Sequence, residues 1–98
     1  MELIGNWNYP TQIRFGCGRI TELAEACAEA GIARPLLVTD RGLEDLPITR
    51  RALDVMDRAG LGRGSFHEVD PNPRDRNLED GLRVYRDGGF DGVIAMGG

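Results

Sequence analysis

A carboxylate, a carboxamide and a pair of glycines stand at three breaks in the apolar pattern of this sequence. Asp40 closes the run Pro35-Leu36-Leu37-Val38-Thr39, Asn72 sits between Pro71 and Pro73, and Gly97-Gly98 follow Val93-Ile94-Ala95-Met96. Carboxylate oxygens accept hydrogen bonds from ribose hydroxyls, and an amide can serve sugar or phosphate. Glycine lets backbone N–H groups come close to a pyrophosphate. Together the three suit a nucleotide. Each also has a plainer use: aspartate after a strand caps a helix or closes a turn, and asparagine between prolines can serve the turn alone. Sequence physics leaves both uses open.

Other candidates carry less. Gly16-Cys17-Gly18-Arg19-Ile20-Thr21 is most of a G-x-G-x-x-G, with Asp40 at about the right distance for a ribose-binding acid, but Thr21 stands where the third glycine belongs. Two glycine turns thus compete for one pyrophosphate. His67, the sole histidine, has no metal-ligand neighbour at helical or strand spacing and reads as a solvent-facing strand residue. No Ser/His/Asp set, HExxH or CxxC is present. All 12 basic residues are arginine, so P-loop and Schiff-base chemistry, which need an amine, are outside this segment.

The elements that would position these groups alternate. Asn6 to Phe15 reads as a half-exposed strand, with Pro10 confining it to an edge or a start, where it could pair with another subunit. A helix from Arg19 to Ala30 follows, with the stripe Ile20, Leu23, Ala24, Cys27 and a stop at Gly31. After the strand Pro35–Asp40, the spacing predicts a helix from Pro47 to Ala59 with Ile48, Ala52, Val55, Met56 and Ala59 on one face. Arg50, Asp54 and Arg58 form its solvated side. Gly64 to Val69 is a third strand and Asp75 to Asp87 a helix carrying Leu78, Leu82 and Tyr85 inward. Gly81 on that same face suggests close approach of another backbone. Val93–Met96, apolar throughout, reads as a strand buried on both faces.

Such alternation predicts a doubly wound α/β fold with a mainly parallel sheet and flanking helices. Asp40, Asp70 and Gly97 are then strand ends on one rim. The 98 residues form one domain or part of one, and the sequence stops where a binding loop would begin, so it reads as a piece of a longer protein. A formal charge of -4 argues against a nucleic-acid surface, and no apolar run is long enough to span a bilayer. Cys17 and Cys27 read as reduced thiols, Cys27 in the core. With no signal-peptide pattern, the cytoplasm is the expected compartment.

Tyr9-Pro10-Thr11 with Ile13-Arg14-Phe15-Gly16-Cys17-Gly18, then Leu37-Val38-Thr39-Asp40, Pro71-Asn72-Pro73 and the segment from Gly89 to Gly98 resemble the amino-terminal half of the iron-containing alcohol dehydrogenases. The resemblance implies that residues 1–98 are the amino-terminal portion of a Rossmann-like dinucleotide-binding domain. A later helical domain, absent here, would hold a divalent metal, iron or zinc. It implies NAD contacts at Asp40 (the adenine-side ribose), Asn72, Gly97 and Gly98, with the pyrophosphate on the Gly97-Gly98 turn rather than at Gly16–Gly18. It assigns no catalytic residue and no metal ligand to this chain. The implied reaction is hydride transfer between an alcohol or aldehyde substrate and NAD, in a homodimer joined through the opening strand. The isolated chain is expected to be inactive. Maleylacetate reductases, glycerol dehydrogenases and dehydroquinate synthases share the resemblance. A non-catalytic nucleotide-binding or assembly module is the alternative of a different class.

Overall fold

The computed structural model describes residues 4–8, 12–69 and 75–97. Its centre is the strand Pro35–Asp40, here β3, which follows β1 (Gly5–Asn8) and β2 (Gln12–Phe15). β3 lies between β4 (Ser65–Val69) and β5 (Gly92–Ala95) in a three-stranded parallel sheet ordered β4-β3-β5. Its apolar run suits that place: Leu36 and Leu37 are 1% and 0% exposed. Pro35 takes the first strand position, where a missing N–H costs least.

β5 departs from expectation. It is an edge strand, and along Gly92–Ala95 half-buried and exposed residues alternate, so only one of its faces is covered. A short apolar run cannot by itself distinguish a central strand from an edge strand, because neighbours decide. The opening also differs. Instead of one strand, β1 and β2 pair antiparallel as a separate two-stranded sheet, with Trp7 opposite Ile13.

Among the described residues three helices connect these strands: α1 (Leu23–Glu29), continuing a 3-10 turn at Arg19–Glu22, then α2 (Pro47–Arg58) and α3 (Asp75–Asp87). All three end alike. Gly31, Gly60 and Gly89 have φ of 74°, 78° and 66°, the left-handed region that glycine enters without strain. In each case the glycine N–H and the N–H of the next, apolar residue reach back into the last turn. Ile32 donates to Cys27 O, Leu61 to Met56 O and Phe90 to Tyr85 O. This double closure satisfies the last carbonyls and turns the chain into the next strand.

α1 and α2 pack together on one face of the sheet, and α3 lies over β4 on the other. On α2, Ala52 and Met56 are buried as expected and Val55 is half-buried, but Thr49 takes the inward place and Ile48, 45% exposed, and Ala59 do not. Thr49 is a polar residue that hydrophobic periodicity does not mark as inward. It is buried because its hydroxyl donates to Leu43 O at 2.6 Å. Gly81 does not admit a backbone. The space its Cβ would fill faces the Phe66 ring at 3.5–4.0 Å.

At the amino end of the sheet, the Asp91 carboxylate accepts from the backbone N–H groups of Ala33 and Arg34 at 3.1 and 2.7 Å. Arg34 in turn donates to the carbonyls of Gly89 and Gly88. These bonds join the starts of β3 and β5 and hold the Asp91 carboxyl below its ordinary pKa, chiefly through the Arg34 N–H. The hairpin is tied to the helices by charge: Arg14 meets Glu22, Glu25 and Glu29, and Arg19 pairs with Glu22 while donating to Gly5 O.

Candidate functional site

The carboxyl ends of β3 and β5 lie side by side. Val38 pairs with Ala95, the Met96 N–H donates to Val38 O at 2.9 Å, and the Thr39 hydroxyl donates to Met96 O at 3.0 Å. Continuing that register sets Gly97 beside Asp40, and paired residues of parallel strands share a face. Thr49 Oγ1 also lies 3.4 Å from Met96 Sδ, so α2 supports the same junction.

Asp40 is half-buried and divides its work. One oxygen, Oδ1, accepts the Leu43 N–H at 3.0 Å and closes the turn after β3, which is the plainer of its two uses. The second oxygen has no protein partner among the described residues. A Cβ at Gly42 would come 3.3 Å from Asp40 Oδ1, and one at Gly97 would meet nothing within 4 Å. Among the described residues, then, nothing crowds the backbone at Gly97, which is the condition for close approach of a pyrophosphate.

Of the other expected contacts, Asn72 and Gly98 lie outside the described residues, as does Asp70. Gly16 and Gly18 are described and are not on this rim. They follow β2, which belongs to the hairpin sheet. Gly18 (φ 72°) opens the 3-10 turn, and its carbonyl is taken by the Thr21 N–H and hydroxyl. Cys27 is buried, and burial pushes its thiol pKa up, with the Asp91 carboxylate adding to the effect.

His67 is not simply facing solvent. Its Nε2 lies 2.6 Å from Glu44 Oε2, joining β4 to the β3–α2 loop where the β3–β4 register slips between Val38 and Asp40. Thr39, Thr49, Met96 and this pair were not legible as site-building residues. Only a threonine inside an apolar stripe hinted at one of them.

A three-stranded parallel sheet with flanking helices and a carboxylate at the end of its central strand is a Rossmann-like arrangement. The sequence profile of the iron-containing alcohol dehydrogenases matches residues 10–98, and the chain belongs to that family. It is 38% identical over 90 residues to 4-hydroxybutyrate dehydrogenase of Cupriavidus necator, covering 92% of this chain and 23% of that protein. The solved structure of a 1,3-propanediol oxidoreductase superposes with a TM-score of 0.81 at 37% identity, over 86% of this chain and 22% of that one. Sulfoacetaldehyde reductase of Bifidobacterium kashiwanohense, solved in complex with NAD+, gives a TM-score of 0.80 at 26% identity over all of this chain and 25% of its own. The chain therefore spans about a quarter of the length of these relatives. Among the described residues no group of three or more His, Cys, Asp or Glu could hold a metal ion, and no helix is long and apolar enough to cross a membrane.

Proposed function

We propose that residues 1–98 are the amino-terminal portion of the NAD-binding domain of a metal-dependent alcohol dehydrogenase, with the metal held by a part of the protein that this chain does not span. The observation that carries this reading is the pairing, on one rim, of Asp40, whose second oxygen has no partner among the described residues, with the backbone at Gly97. NAD fits that pairing: a ribose hydroxyl donates to Asp40, and the pyrophosphate lies against Gly97 and Gly98, with Asn72 as a further contact. When bound, the nicotinamide supplies the hydride acceptor for an alcohol. The residues of this chain bind and orient the cofactor and take no proton or hydride themselves.

Asp40 favours NAD over NADP, because the extra phosphate of NADP would meet a like charge, although exposed Arg41 next to it moderates that preference. In the full-length protein, Asp40→Gly raises the use of NADP relative to NAD. An unchanged NAD-to-NADP ratio would count against the assignment. The substrate is an alcohol or aldehyde, the setting is the cytoplasm, and the β1–β2 hairpin is the element through which two subunits would pair. Ile13 and Phe15 on that hairpin, 47% and 50% exposed, support the last point.

A further inference from the structure

We propose that Thr39 is a positioning residue of the candidate site: its hydroxyl, by holding the Met96 carbonyl, fixes the Gly97 backbone relative to Asp40. On the NAD reading above, on which this rests, Thr39 thereby sets the span between the ribose contact and the pyrophosphate contact. Thr39 is 3% exposed and follows the apolar run Pro35-Leu36-Leu37-Val38, where a valine would have the same shape and no hydroxyl to satisfy. Burying a hydroxyl costs free energy unless it finds a partner. Here the partner is Met96 O, 3.0 Å away.

The place of that bond in the sheet gives it its role. The β3–β5 ladder ends at Val38 and Ala95, and the Met96 N–H still reaches Val38 O at 2.9 Å. The next backbone rung would run from the Asp40 N–H to Met96 O. Among the described residues that rung is not formed, and the Thr39 side chain takes the carbonyl instead. Asp40 pairs with its other neighbour, Val69, across a bulge in which two steps of β3 (Val38 to Asp40) face three of β4 (Phe66 to Val69). A bulge sharpens the local twist, so β3 and β5 part where Asp40 and Gly97 would share a ligand. The Thr39 hydroxyl bridges that parting.

The peptide plane carries the effect one residue further. Met96 C=O and Gly97 N–H belong to one planar unit, so fixing the carbonyl fixes the direction of that N–H. Among the described residues the Gly97 N–H has no acceptor. The Asp40 side is held separately: Asp40 Oδ1 accepts the Leu43 N–H, and Leu43 O accepts the Thr49 hydroxyl from α2 at 2.6 Å. Thr49 anchors the one half, and Thr39 ties the other to it.

The test separates the hydroxyl from the shape. In the full-length protein, Thr39→Val keeps the shape and removes the donor, whereas Thr39→Ser keeps the donor and loses a methyl group. NAD affinity is read by isothermal titration calorimetry and stability by urea unfolding. Thr39→Val should bind NAD about five- to tenfold less tightly, the worth of about one hydrogen bond. Thr39→Ser should bind within about twofold of the natural protein, even where its lost methyl lowers stability. Equal losses of affinity in the two variants, or affinities that simply follow their unfolding free energies, overturn the proposal. Asp40→Asn is titrated alongside. If it weakens NAD binding and Thr39→Val does not, the positioning role falls and the NAD reading stands. If neither alters binding, the NAD reading of the rim falls and takes the positioning role with it. Should Thr39→Val not fold, Thr39→Ala and Thr39→Ser, which differ by the hydroxyl alone, decide: weaker binding by the alanine variant supports the role and equal binding overturns it.

Discussion

Asp40 holds a turn with one oxygen, and the proposed NAD contact would use the other, so two substitutions should separate these roles. Asp40→Asn keeps an oxygen to accept the Leu43 N–H, 3.0 Å away, but removes the charge. Asp40→Ala removes both. A hydrogen bond of this kind contributes about 1 kcal/mol net. In the 98-residue chain, Asp40→Ala should therefore lower the unfolding free energy by about 1 kcal/mol, or Tm by about 4–8 °C for a domain this small. Asp40→Asn should cost less than half of that. Cofactor binding follows the other oxygen and the charge. Losing a charged acceptor costs roughly 1.5–3 kcal/mol, so both variants of the full-length protein should bind NAD about 10-fold to 100-fold less tightly. Asp40→Asn should also narrow the gap between NAD and NADP. Urea titration measures the first effect and KM for each cofactor the second. Equal destabilisation by the two variants would refute the turn. An unchanged KM for NAD in Asp40→Asn would remove the ribose contact while leaving the turn intact.

Three further outcomes are expected. A Cβ at Gly88 would lie 2.2 Å from the Phe90 ring and one at Gly64 likewise, so Gly88→Ala should destabilise the chain by roughly 1–3 kcal/mol, and Phe90→Leu should restore part of it in the double variant measured by urea unfolding. The Asp91 carboxyl is held below its ordinary 3.8, so the unfolded chain takes up that proton first. Its contribution is then complete above about pH 4 and fades as the pH falls through the folded value. Asp91→Asn should lower stability at neutral pH and flatten the acid limb of a stability–pH curve, and an unaltered acid limb would contradict the clamp at Ala33 and Arg34. The isolated chain, which lacks most of a relative's length, should bind NAD weakly or not at all, and a fluorescence titration giving a micromolar Kd would overturn that expectation.

Much of this architecture is local and was legible for that reason. Gly31, Gly60 and Gly89 mark helix ends through a backbone region only glycine enters easily, and Asp75–Asp87 and Pro35–Asp40 declare themselves through periods spanning a few residues. The placement of Asp40 at a strand end needed no more than that. Its division between a turn and an open oxygen did need the fold, because both uses call for the same residue type.

The order β4-β3-β5, the bare face of β5 and the clamp of Asp91 on Arg34, 57 residues apart, were decided by tertiary structure alone. The letters of β3 and β5 are similarly apolar; what distinguishes them is that one has a neighbour on each side and the other on only one. Side-chain type and spacing act over one or two turns of chain, whereas strand neighbours are chosen by crossovers that bring distant segments together, and no short window of sequence carries that information.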